Sequence, residues 1–314
     1  MHSTDPAVVA RRSLTVAAIG TLLTLVAFTA PLATINPTAL TLGSDPAGRT
    51  WILSSMSIGL GAALLTTGTI ADAVGRRRTF VIGKPVLAAG SVICAVAPGT
   101  FVFVLARILQ GLGCAAVMAS SLGIIAHTHA PGPVRARASG IWGASVGAGI
   151  ALGPLVVAGL DSLASWRFAY WLMAVGALAL AFVAQRLLVE SRTDAPRGLD
   201  PLGALLLGLG MSALLAALVE GRQGWSQPLP IVLFAASALV LTVFVYVEYR
   251  NRNSMLDLSL FTQPAFVAAT VAALMTGAGI IALMSFLSGF LGNAYGIDAL
   301  GAAFLLFAWS ATSV

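Results

Sequence analysis

Long apolar runs broken by short polar or basic stretches organise this chain. Ten such runs recur at about Val16 to Leu40, Trp51 to Ala71, Thr79 to Ala97, Phe101 to Ala126, Ala138 to Leu160, Phe168 to Val189, Leu202 to Val219, Leu229 to Val247, Ala265 to Leu291 and Ile297 onward. Most reach the ~18 to 20 residues that carry an α-helix across the roughly 30 Å hydrocarbon layer of a bilayer. The pattern predicts an all-α, polytopic membrane protein, with the tenth span cut by the chain end.

The basic residues orient these spans, because Lys and Arg in short loops are retained on the cytoplasmic side. Arg11, Arg12, Arg76, Arg77, Arg78, Lys84, Arg135, Arg137, Arg186, Arg192, Arg197, Arg250 and Arg252 sort to the N-terminal tail and the even-to-odd connections, thirteen on one side. Arg49, Arg167 and Arg222 sort to the other side, and Arg107 lies inside a span. The N-terminus is therefore expected in the cytoplasm of an inner-membrane protein. The first run is too long, and too continuous with the rest, for a cleaved signal peptide.

Composition removes the soluble alternatives. With 58% hydrophobic and 9% charged residues and a mean hydropathy of +0.95, the chain could not cover a water-facing surface of ordinary polarity. Its solvent is a lipid bilayer. The net charge of +6 follows from the loop bias, so nucleic acid is not an expected partner. Cys94 and Cys114 fall inside apolar runs, where a thiol packs as a small hydrophobe. His127 and His129 read as loop residues, without the spacing and partners of a metal site. Neither a metal nor a cofactor is expected, and no obligate protein partner can be inferred.

The connection between the second and third runs carries the most specific pattern, Gly68-x-x-x-Asp72-x-x-Gly75-Arg76-Arg77-Arg78. Gly75 permits a positive-φ reversal, and the arginines hold the turn at the headgroup level. Asp72 stands four residues before Arg76 and can pair with it, or with Arg135 or Arg137. In the fourth run, Arg107 sits about 9 Å inside an apolar helix, where a charge costs on the order of 2.5 kcal/mol or more and faces a bundle interior or a cavity. Gln110 and Gly111 share its helical face. Its expected surroundings are polar groups of the first, second or fifth run, such as Asn36, Thr34 or Ser145, which are the cavity-lining candidates. The fifth run holds Gly143, Gly147, Gly149, Gly153 and Pro154: two small-residue ridges for close helix contact, and a missing ladder bond at Ile150.

Together these segments resemble the major facilitator superfamily. The Gly68 to Arg78 loop is similar to its signature loop, which implies a conformational switch. Leu105-Ala-Arg107-Ile-Leu-Gln110-Gly111-Leu-Gly113 is similar to its fourth-helix motif, in which the arginine is implicated in proton transfer. Gly149-Ile-Ala-Leu-Gly153-Pro154 resembles the helix-packing motif of its antiporter branch. Ser165-Trp166-Arg167, Gly198-Leu-Asp200-Pro-Leu-Gly203 and Gly224-Trp225 extend the likeness to the fourteen-span drug:proton antiporters. The resemblance implies a six-helix bundle over 1–190, an inserted helix pair over 191–252 and the start of a second bundle over 253–314.

The implied activity is alternating-access efflux of amphiphilic or cationic small molecules, as in multidrug or antibiotic export, with protons as the coupling partner. One position departs from the pattern. Leu32 stands where the family's first helix usually carries an aspartate, and all eleven acids fall in the tail, in loops or at span ends. Arg107 cannot carry the proton instead, since a guanidinium does not deprotonate. A facilitator or importer of a small solute is the second expectation. An enzyme is not expected, because no acid-base or metal constellation lies within the spans. At ~30 residues per span, fourteen spans need about 420 residues, so the expectation is a C-terminally truncated chain without transport of its own.

Overall fold

The computed structural model describes residues 5–193, 200–222, 224–251, 258–295, 301 and 304–305. Among them run nine α-helices: α1 (Pro6–Leu42), α2 (Pro46–Val74), α3 (Arg76–Val96), α4 (Thr100–Thr128), α5 (Pro133–Leu163), α6 (Trp166–Leu187), α7 (Pro201–Gly221), α8 (Pro228–Arg250) and α9 (Pro264–Tyr295). A short 3-10 turn, Leu258–Thr262, precedes α9. The first eight helices are long and apolar enough to cross a membrane. Each of the first nine apolar runs thus lies in one helix. Most of the tenth run, together with Arg197, Gly198 and Arg252, lies outside the described residues.

Helix starts follow cap chemistry more closely than hydropathy. Asp5, Asp45 and Asp200 each precede a proline and accept a backbone N–H of the first turn, from Ala7, Gly48 and Gly203. An Asp cap contributes about 1 kcal/mol, and a proline at the first helical position forfeits no ladder bond. This is why α1 begins at Pro6, ten residues before the apolar run, and carries Arg11 and Arg12 on its first turns.

The first six helices form one bundle. α1 packs on α4, α5 and α6, while α4 packs on α2 and α3, and α3 closes against α6. α1 and α4 are therefore central, and most of their apolar windows are buried. The α7–α8 hairpin lies against α2, where Trp51 donates its indole N–H to Glu220 at 2.6 Å. Outward faces display Phe101, Leu163, Val175, Phe182 and Leu239, an apolar coat suited to lipid. One core cluster gathers Phe103, Trp166 and Tyr170 edge to face, with centroids 5.5 to 5.9 Å apart. Beside it, Arg167 donates to the carbonyls of Ala95 and Ala97, satisfying the last acceptors of α3.

Glycines set the closest helix contacts. A Cβ on Gly111 would strike the Met56 carbonyl, and one on Gly59 the Ile108 carbonyl, so α2 and α4 touch backbone to backbone. Gly83, Gly90 and Gly113 do the same for α3 and α4. Such contacts replace the hydrophobic drive that is absent between helices in lipid.

Candidate functional site

The site is built around α1. Pro31 and Pro37 lie inside this helix, and Thr34 departs from helical geometry at φ −115°, ψ 17°. Pro31 has no N–H, so the carbonyl of Ala27, four residues earlier, loses its ladder donor. Arg107 on α4 replaces that donor. Its Nη1 donates to Ala27 O at 2.6 Å and to Gln110 Oε1 at 2.9 Å, and its Nη2 donates to Phe28 O at 2.9 Å. Gln110 then donates to Ser91 on α3 at 2.8 Å, so one polar chain joins α1, α4 and α3. Arg107 and Gln110 are both fully buried.

Polar groups of α1 surround Arg107 as expected, but not through the side chains named for it. Its partners are backbone carbonyls of α1 and one amide, not the side chains of Thr34, Asn36 or Ser145. Thr34 is buried and bonds Ala30 within its own helix, Asn36 is exposed and accepts from Arg49, and Ser145 donates to Trp142. Pro31 was the local signal for the true arrangement: a proline inside a membrane helix frees one carbonyl four residues back, and a buried cation is its natural partner.

Lys84 was misplaced by the charge tally, which set it with the loop residues. It lies within α3 and is fully buried. Its Nζ donates to Gly20 O at 2.7 Å and to Thr24 Oγ1 at 3.1 Å, both on α1. The tally misled because Lys84 is only eight residues past Arg76, close enough in sequence to look like the loop. Two cations thus grip α1. Gly20 and Ala27 are seven residues apart, so the grips fall on one helical face about 10 Å apart. Gly20 itself is required there, since a Cβ would run into the Phe80 ring.

The opposite side of α1 meets α5. A Cβ on Gly149 would approach Leu22 O and Leu25 Cβ at 2.7 Å, and one on Gly153 would strike Thr29 Oγ1. Gly143, in contrast, has nothing within 4 Å and is exposed, and Gly147 is only partly buried. The ridge is therefore one pair, Gly149 and Gly153. α5 passes unbroken through Pro154, and the dihedral break falls in α1.

At the end of the bundle that holds Arg76, the expected ion pair is present. Arg76 Nη2 and Nε meet Asp72 Oδ1 at 2.7 and 3.0 Å, and Nη1 donates to Gly123 O at 3.1 Å. Arg135 bonds His129 O instead. Gly75 adopts φ +130°, the positive value expected of the turn. Gly68, however, makes no tight contact, its nearest neighbour to a Cβ being Ala119 at 4.0 Å.

Glu190 completes this cluster and was read only as a loop acid. Its Oε1 accepts from Arg77 N at 3.0 Å, and its Oε2 lies 3.6 Å from Arg78 Nε. Gly75 offers no side-chain cap to α3, so Glu190 supplies the negative group at that helix N-terminus from 113 residues away. The tail of α6 is tied down further by Arg76 N to Ser191 O at 3.0 Å and Thr193 N to Asp72 O at 3.2 Å. No local pattern could reveal a cap that arrives from another helix.

Comparisons with known proteins agree with this geometry. The chain is 35% identical over 230 residues to the multidrug resistance protein Stp of Mycobacterium tuberculosis, covering 73% of this chain and 42% of that protein. It is 31% identical over 258 residues to the methylenomycin A resistance protein of Bacillus subtilis, covering 82% and 55%. It is 28% identical over 250 residues to the tetracenomycin C resistance and export protein of Streptomyces glaucescens, covering 79% and 46%. The chain thus spans about half the length of these relatives. Among solved structures, the peptide transporter POT in complex with sulfate superposes with a TM-score of 0.64 at 19% identity, covering 98% of this chain and 70% of that one, a likeness of fold. A family model described as the Major Facilitator Superfamily matches residues 17–314, and the chain is a multi-pass membrane protein that belongs to that superfamily of small-molecule transporters.

Proposed function

We propose that this protein exports amphiphilic small molecules across the inner membrane by alternating access, with its N-terminus in the cytoplasm. The observation that carries the reading is the 35% identity over 230 residues to a multidrug resistance protein. The site chemistry supports it. α1 is held by ionic and carbonyl bonds to α3 and α4 on one face and by glycine contacts to α5 on the other, the build of a helix that moves as part of a rigid unit. In this reading residues 1–190 form the first rocking bundle, 191–252 the inserted pair and 253–314 the start of the second bundle.

The Asp72–Arg76–Glu190 cluster is the proposed conformational switch, and its arginines mark the cytoplasmic end. With Lys84 inside the bundle the basic residues still divide twelve against three. Asn36, the exposed member of the three candidates, is assigned to the cavity wall. The second reading, a facilitator driven by the substrate gradient alone, is favoured by the lack of a mid-helix carboxylate in α1 to α6.

One assay tests both readings. Ethidium accumulation is measured in a pump-deficient bacterium expressing the protein as its gene encodes it, with and without a protonophore. Export predicts lower accumulation than in the empty-vector control, rising to the control level when the proton gradient collapses. Faster ethidium entry than in the control, unaffected by the protonophore, supports the facilitator. Equal accumulation in all arms contradicts both.

A further inference from the structure

The two cations that hold α1 differ in one chemical respect. A guanidinium does not deprotonate in proteins, whereas a lysine ammonium can release a proton. We infer that Lys84 is a proton-binding site of the bundle, an amine that exchanges its proton while held between α3 and α1. This rests on the export reading only for its role in coupling, not for the site itself.

Three features of the site support exchange. First, among the described residues the Nζ has two acceptors, Gly20 O and Thr24 Oγ1, for the three protons of an ammonium. Second, the same pair serves a neutral amine after rotation of one hydroxyl. The Thr24 hydroxyl, which now donates to Gly20 O at 2.7 Å, can turn and donate to the amine lone pair, while an amine N–H keeps the carbonyl.

Third, among the described residues no carboxylate pairs with Lys84 to fix its charge. From α4 the titratable and charged groups bearing on it are the Cys114 thiol and, further along the same helix, Arg107. From α1 the groups that meet it are uncharged, Gly20 O and the Thr24 hydroxyl. From its own helix the neighbour is the Phe80 ring, 5.7 Å away.

Further hydroxyls lie on the same stretch of α1. Thr21, one turn from Thr24 on α1, accepts from Trp142 Nε1 at 2.9 Å and donates to Ser121 Oγ at 3.5 Å. Trp142 is partly exposed on α5. Loss of the charge weakens one of the two grips on α1, because a charge-assisted hydrogen bond is roughly twice as strong as a neutral one. Arg107 holds throughout.

The test compares the purified, natively encoded protein with Lys84→Met and Thr24→Val in thermal melts from pH 5.5 to 9. A titrating Lys84 makes the melting difference between wild type and Lys84→Met change by more than about 2 °C across that range. If Lys84→Met does not fold, the wild type against Thr24→Val carries the comparison, because the hydroxyl bonds differently to ammonium and amine. A difference that stays flat with pH overturns the inference and leaves Lys84 a constant tether. A second arm measures tetraphenylphosphonium binding, whose pH dependence should be lost in Lys84→Met. Retention of that dependence in Lys84→Met overturns the coupling role. If the wild type binds no tetraphenylphosphonium at any pH, the export reading suffers, and the melts still decide the proton site.

Discussion

Arg107 on α4 donates to the carbonyl of Ala27 on α1 at 2.6 Å, the carbonyl that Pro31 strips of its helical partner. The kink of α1 and the burial of a charge are thus two halves of one arrangement. A guanidinium in hydrocarbon is costly, and so is an orphaned carbonyl. Each offsets the other, which makes the pair a fixed joint between two central helices.

Arg107→Lys is expected to lose this joint. An ammonium is a point donor and cannot hold Ala27 O, Phe28 O and Gln110 Oε1 in the fork that a guanidinium spans. The variant should insert into the membrane but melt earlier, by about 3 kcal/mol of stability, and its transport should fall at least tenfold. Detergent melts and ethidium export measure the two effects. Wild-type behaviour in both would show that the geometry has no functional weight.

Pro31→Ala probes the same joint from α1. The new N–H competes for Ala27 O, so the helix regains a ladder bond while Arg107 loses an acceptor. The expected outcome is a folded protein of near-normal melting temperature with slower transport. A variant that transports at the wild-type rate would separate the kink from function.

Glycine substitutions should follow the contacts and not the motif. Gly111→Ala drives a Cβ into the backbone of Met56, and Gly153→Ala meets the Thr29 side chain, whereas Gly143→Ala meets nothing within 4 Å. Expected destabilisation is greatest for Gly111→Ala, on the order of 2 to 3 kcal/mol, smaller for Gly153→Ala, and near zero for Gly143→Ala. Melting temperatures of the three variants would expose a different order.

At the Arg76 end, Asp72→Asn removes the ion pair with Arg76, and Glu190→Gln removes the charge at the start of α3. Both variants should insert normally and transport more slowly. Glu190→Gln should also speed proteolytic cleavage near Ser191, because the α6 tail loses its anchor. Each exposed ion pair alone contributes less than about 1 kcal/mol, so unchanged melting temperatures with altered transport are expected. Normal transport in both variants would remove this cluster from the mechanism.

These residues also mark where the sequence was readable. The nine helices among the described residues, and their type, followed from apolar runs of spanning length, and the Asp72–Arg76 pair followed from a four-residue spacing across the Gly75 turn. Partners brought together by packing were not readable. Glu190 reaches α3 across 113 residues, and the partners of Arg107 are backbone atoms, which have no letter in a sequence. Lys84 was lost for a different reason: a charge tally treats a lysine eight residues past a loop as part of it, whereas burial depends on which face of α3 it occupies. Pro31 was the one unused local cue, since a proline inside a spanning helix names the carbonyl that needs a donor.

Export itself is tested most directly in proteoliposomes containing the purified, natively encoded protein and a fluorescent amphiphile such as ethidium. With an imposed pH gradient, the account predicts substrate movement opposite to the proton flux in the wild type, abolished in Arg107→Lys and reduced in Asp72→Asn. No movement by the wild type above protein-free liposomes, or equal movement by Arg107→Lys, would contradict it.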